Sequence, residues 1–208
     1  MIDLSTLIAY IAIVLGFVFI PGPATLLTIA RATSSGTRVG IATGTGIAAG
    51  DVFHTVMAMI GISAIIATSA TLFSIVKYIG AAYLVYLGIR AIIEKAPANP
   101  AAGAPAISPR KAFRQAVLTE VLNPKTTLFF LAFLPQFVRP QNGSVMLQFM
   151  TFGVIFVLLG LFSTIVFAVS AGGLGKFLRR NPSVVKWQGK VVGGIYCALG
   201  VRLVLQQR

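Results

Sequence analysis

Two proline-containing segments, Pro21-Gly22-Pro23 and Asn123-Pro124-Lys125, each interrupt a long apolar run, and that placement leaves few folds open. Proline inside a helix removes a backbone hydrogen bond and clashes with the preceding turn. In lipid every backbone N–H and C=O must be satisfied within the protein, so such a break is tolerated only where it faces protein or a water-filled path. One break falls in each half of the chain. Broken helices at matching positions of two halves point to a binding site inside a membrane carrier.

Composition agrees with a life in the bilayer. Of 208 residues, 57% are hydrophobic and 10% charged, whereas a soluble globular domain has about a quarter of its residues charged. A net charge of +13 in a soluble protein would suggest nucleic acid. Here Lys and Arg gather in loops beside apolar spans, which reads as membrane orientation and excludes a nucleic-acid partner. Cys197 is the single cysteine and cannot form an internal disulfide.

A span needs about 20 mostly apolar residues. Six stretches qualify: Leu4 to Ala30, Val39 to Ile66, Leu72 to Ile93, Phe113 to Val138, Val145 to Leu174 and Val184 to Leu205. The first carries Asp3 and no basic residue ahead of it, and its apolar character continues past the Pro-Gly-Pro, so it is expected to be a span and not a signal peptide. Arg31, Arg38, Arg90, Lys95, Arg110, Lys111, Arg114, Lys176, Arg179, Arg180, Lys186 and Lys190 sort to one side of the membrane. Lys77, Arg139, Arg202 and Arg208 sort to the other. The positive-inside rule makes the richer side cytoplasmic and puts both termini outside. Glu94 to Pro109 is rich in Ala and Pro and reads as a cytoplasmic linker. The expected division is residues 1–93, a linker at 94–112, and residues 113–208.

The two halves resemble each other. An offset of 109 pairs Gly44 with Gly153, Phe53 with Phe162, Thr55 with Thr164, Lys77 with Lys186, Tyr78 with Trp187 and Gly80 with Gly189. After three residues of slippage, Leu87-Gly88-Ile89-Arg90 meets Leu199-Gly200-Val201-Arg202, and upstream Pro23, Thr25 and Leu27 meet Pro124, Thr126 and Leu128. Three spans per copy is an odd number, so the second copy must cross the membrane the opposite way. The fold class expected is an all-α integral membrane protein of about six helices, arranged as two inverted three-helix repeats with the first and fourth helices broken. Gly40, Gly44, Gly46 and Gly50, and Gly189 with Gly193, give small-residue spacings suited to close helix packing, within one chain or in a homo-oligomer.

Few groups inside the spans can carry charge: Asp51, His54, Glu120 and Lys125. Burying one there costs about 3 kcal/mol or more, which makes each a functional candidate. Asp51 and His54 are three apart and share a helix face. Asp51, Glu120 and His54 are the candidate proton-coupling groups, with structural pairing of Asp51 and packing of His54 as the plainer alternatives. Asn123 suits a helix cap and Pro124 a first helical position. Gly22-Pro23-Ala24-Thr25 reads the same way, so Gly22, Pro23, Thr25, Asn123, Pro124, Lys125 and Thr126 are the candidate substrate-binding residues. Free N–H groups at such helix starts favour an anion, and Lys125 adds a full charge; the plainer alternative is that both breaks are kinks and that Lys125 reaches the cytoplasmic interface. A carboxylate at one place and an ammonium at the other suits a zwitterion, of which a free amino acid is the simplest. No nucleotide-binding loop, metal set or catalytic triad stands out, so neither an enzyme nor a cofactor is expected, and transport should be driven by an ion gradient. A passive channel for small zwitterions is the alternative.

The sequence resembles the LysE/RhtB family of bacterial amino-acid exporters in Phe19-Ile20-Pro21-Gly22-Pro23-Ala24, in the Gly-rich second span ending in Gly50-Asp51, in Lys77-Tyr78-Ile79-Gly80-Ala81-Ala82-Tyr83-Leu84, and in Leu122-Asn123-Pro124-Lys125 followed by Phe129 and Leu134-Pro135-Gln136-Phe137. The resemblance implies a carrier of the bacterial cytoplasmic membrane that exports amino acids in exchange for protons, with lipid, substrate and protons as its partners. It does not identify the amino acid. The thin supply of acidic residues favours a neutral one over lysine.

Overall fold

The computed structural model describes residues 2–20, 22–68, 70–93 and 106–180, and residues 187, 190, 191, 193, 194, 197, 198, 200, 201, 204 and 205. Readings that fall on Pro21, on residues 94–105, or on Lys186, Gly189, Leu199, Arg202 and Arg208 lie outside the described residues. All described secondary structure is helical: α1 Leu4–Phe19, α2 Pro23–Ser35, α3 Thr37–Thr68, α4 Ala70–Ile93, α5 Pro109–Val121, α6 Pro124–Leu128 and α7 Val145–Arg180. The described residues from Trp187 to Leu205 are helical as well.

The breaks have local causes. Ile20, ahead of Pro21, is extended at φ −75° and ψ 110°, as a residue before proline prefers. Pro23 then restarts the helix at a position where no N–H is needed. The same grammar operates at Asn123, extended at φ −75° and ψ 108°, with Pro124 next. The bends are 51° between α1 and α2 and 44° between α5 and the segment Pro124–Phe137. Past Leu128 the backbone widens into a π turn at Phe129–Phe133, then tightens to a 3-10 turn at Leu134–Phe137. Gly36, at φ +91°, closes α2 with a conformation that side chains resist.

Val145–Ala171 of α7 is long and apolar enough to cross a membrane, and each bent pair is long and apolar enough when its two helices are taken together, as a broken span or a re-entrant loop. With 32 and 24 residues, α3 and α4 reach about 48 and 36 Å at 1.5 Å per residue, against roughly 30 Å of hydrocarbon. Ile8, Ile60, Ile79, Leu118, Leu147 and Leu158 stand exposed, as lipid-facing side chains should. α5 begins four residues ahead of the boundary expected at 113, because Ser108 accepts the Lys111 N–H and Pro109 takes the first helical position.

Glycine contacts show how the halves are related. A Cβ on Gly44 would stand 2.7 Å from Thr164 Oγ1, and one on Gly153 would stand 2.8 Å from Thr55 Oγ1. These four residues are two pairs of repeat partners, each contact being the other with the halves exchanged. The relation recurs between α4 and the last helical residues. A Cβ on Gly88 would lie 2.7 Å from Gly193 O and 2.5 Å from Cys197 Sγ, while one on Gly200 would lie 2.8 Å from both Ala81 O and Val85 Cγ2. Partner order descends as residue order ascends, so each pair of helices is antiparallel. A two-fold axis that exchanges antiparallel helices is perpendicular to them and lies in the membrane plane, which makes the repeat inverted.

An aromatic core fills the space between α1, α7 and the π turn. Tyr10 and Phe129 are fully or nearly buried there with Phe149 and Phe152, and the Tyr10 hydroxyl donates to Phe152 O at 2.9 Å. Phe17 and Phe129 rings stand 4.6 Å apart, Phe129 and Phe156 rings 4.8 Å apart. This rigid wedge fixes the end of α1 against α7 and so positions the break that follows.

Candidate functional site

Both broken helices meet α3 and α7 at a small cavity of about 40 Å³, lined by Gly22, Ala24 and Thr25 from the first break, Asn123, Lys125 and Thr126 from the second, Glu120, Asp51 and Ile47, and Phe156, Gly160 and Thr164 of α7, with Phe17 and Val18 closing it. That volume admits a few waters. Five of the seven residues expected to bind substrate therefore share one cavity with both carboxyl groups. Pro23 and Pro124 do not line it and act by starting the helices.

Glycine brings the acids together. α3 lies so close to α5 at Gly50 that a Cβ there would stand 2.5 Å from Glu120 Cβ. Asp51 and Glu120, 2% and 1% exposed, line the same cavity. An ionised carboxylate only accepts, so two carboxyl groups can hydrogen-bond each other only when one of them carries a proton. Glu120 is the hub: Asn123 Nδ2 donates to both its oxygens at 3.1 Å, and Thr126 Oγ1 donates to Oε1. Asn123 also caps the new helix, its Oδ1 accepting the Lys125 N–H at 3.1 Å.

Lys125 turns inward. Its ammonium donates to Phe17 O at 3.1 Å and Ile20 O at 3.2 Å and lies 4.2 Å from the centre of the Phe17 ring. It thus satisfies carbonyls that the break at the end of α1 leaves without helical donors, and it lines the same cavity as Asp51 and Glu120. One proton on the acid pair and one on Lys125 leave the cluster neutral.

His54 stands apart from the cavity. Its Nε2 meets Glu120 O at 2.9 Å, and its ring stacks on Phe130 at 5.9 Å. A carbonyl can only accept, so Nε2 is the protonated nitrogen, and the imidazole steadies the backbone under Glu120. Lys77 is buried too, 4.8 Å from the centre of the Tyr78 ring, but does not line the cavity. Among the described residues no cluster of His, Cys, Asp and Glu could hold a metal ion.

Sequence reasoning passed over Phe17, Val18, Ile47, Phe156, Gly160 and Thr164. Two of these carried a signal: Thr164 is the repeat partner of Thr55, and the same offset places Gly160 opposite Asp51.

The family described as LysE type translocator matches residues 15–207. An uncharacterized membrane protein of Vibrio cholerae is 32% identical over 97% of each chain. The uncharacterized membrane protein YrhP of Bacillus subtilis is 33% identical over 96% of this chain and 98% of its own. A third such protein, from Pseudomonas aeruginosa, is 31% identical over 91% and 92%. No solved structure matches.

Proposed function

The chain belongs to the LysE type translocator family, a membrane transporter by that membership, and from this premise we propose that it exports amino acids across the bacterial cytoplasmic membrane in exchange for protons. One observation carries the reading: the buried carboxyl groups of Asp51 and Glu120 line the same cavity as Lys125. A pair of buried acids beside a cavity at the meeting of two broken helices suits alternating occupancy by proton and substrate. The ammonium of an amino acid would replace the proton, and its carboxylate would lie towards Lys125. Phe17, Phe156 and Ile47 make the remaining wall apolar, which favours a neutral side chain. Both termini are outside, in keeping with the loop charges. The contact of Asp3 with Arg139 and Asn142 puts the N-terminal end beside the loop ahead of α7.

The test is extrusion of labelled amino acids from proteoliposomes under an imposed proton gradient. Accumulation that follows the gradient supports antiport. Equilibration without accumulation at any gradient would establish a passive facilitator instead.

A further inference from the structure

The glycines on α3 and α7 serve two different ends. At Gly44, Gly50 and Gly153 a Cβ would stand 2.7 Å from Thr164 Oγ1, 2.5 Å from Glu120 Cβ and 2.8 Å from Thr55 Oγ1. There the missing side chain lets one helix lie on another. At Gly160, its own helix aside, Asp51 Oδ2 at 3.2 Å is the one atom among the described residues within 4 Å of an added Cβ. Its bare face opens onto the cavity. Phe156 and Thr164, one helical turn to either side, line that cavity too. Gly160 is the repeat counterpart of Asp51, so the two-fold axis passes between an acid supplied by one half and a vacant side-chain position supplied by the other.

We propose that Gly160 is a specificity-determining residue that keeps open the space beside the Asp51 carboxyl for the primary ammonium group of the substrate. An ammonium nitrogen bonds a carboxylate at about 2.7–2.9 Å. A carbon fixed 3.2 Å from Asp51 Oδ2 would take up the shell in which that nitrogen must sit. By the same reasoning the space that glycine leaves suits an unsubstituted amine, and a methyl group on the substrate nitrogen competes for it. The inference rests on the amino-acid reading above and adds which end of the zwitterion meets α7.

The experiment compares common amino acids with their N-methyl derivatives and their des-amino carboxylic acids, as counterflow substrates and competitors in proteoliposomes carrying the intact protein. For each amino acid carried, N-methylation should lower affinity about tenfold or more, the discrimination expected for one methyl group in a tight pocket. Gly160→Ala should weaken the primary amino acid by a similar factor and leave the des-amino acid unchanged. Equal acceptance of N-methyl and primary forms by the unmodified protein overturns the inference, as does a Gly160→Ala loss that is equal with and without the amine. If Gly160→Ala is not recovered in the membrane, the N-methyl comparison decides alone. Failure to carry any amino acid overturns the functional reading and this inference together, whereas carriage without N-methyl discrimination overturns this inference only.

Discussion

The Lys125 ammonium donates to Ile20 O at 3.2 Å, so a side chain at the start of the second broken helix closes off the end of the first. The bond spans the two repeats. It ties the mouth of the cavity to the aromatic core through the last turn of α1.

Lys125→Gln should therefore have two effects. Leaving the Phe17 and Ile20 carbonyls without their charged donor costs about 1–3 kcal/mol of stability, readable as a lower denaturation midpoint in detergent. Affinity for amino acids should fall roughly tenfold to a hundredfold, and much less for analogues whose carboxylate is replaced by a neutral amide. Equal losses for acid and amide would show that Lys125 does not read the carboxylate.

Asp51→Asn should abolish gradient-driven extrusion while exchange of labelled for unlabelled substrate survives, because the amide keeps the shape of the site but cannot take up a proton. Proteoliposome assays of net transport and of exchange separate the two. A variant that still concentrates substrate against its gradient would reassign Asp51 to structure, with Glu120→Gln the next variant to assay.

His54 is expected to position Glu120 and not to relay protons. Because Glu120 O also accepts the Asn123 N–H at 2.9 Å, losing the imidazole should cost only about 0.5–1.5 kcal/mol. His54→Gln, which restores a side-chain N–H donor, should retain coupling that His54→Phe impairs. Loss of proton coupling in both variants would mark the imidazole as a proton carrier.

The inverted repeat makes a packing prediction. Gly153→Ala should destabilise the protein by about 1–3 kcal/mol through overpacking against Thr55, and Thr55→Ala should recover part of that loss. Gly44→Ala should behave alike, with Thr164→Ala as its partner. Double-mutant cycles on thermal stability read the coupling, and additive losses in both cycles would contradict the reciprocal contacts.

Reporter fusions after Ala102 and after Arg208 should report opposite sides, cytoplasmic for the first and external for the second. A cytoplasmic C-terminal reporter would contradict the assigned orientation.

Much of this protein can be read from its sequence because lipid imposes one-dimensional rules. Apolar length marks the spans, and Pro21-Gly22-Pro23 and Asn123-Pro124-Lys125 mark the breaks, since a missing N–H is a local fact that no packing restores. The repeat offset was legible for the same reason, as was the short supply of intramembrane acids. What Asp51 and Glu120 do to each other was not legible. They lie on helices that approach closely because Gly46 and Gly50 have no side chains, and nothing in a sequence says which glycine faces which helix. Lys125 looked like a group free to meet an anion or to reach the membrane surface, yet it turns to the carbonyls at the end of α1, because those acceptors exist only once α1 has stopped beside it. Gly160 gave no sign beyond its repeat position opposite Asp51. Its meaning is the space beside Asp51, and such a space is set by how helices pack in three dimensions.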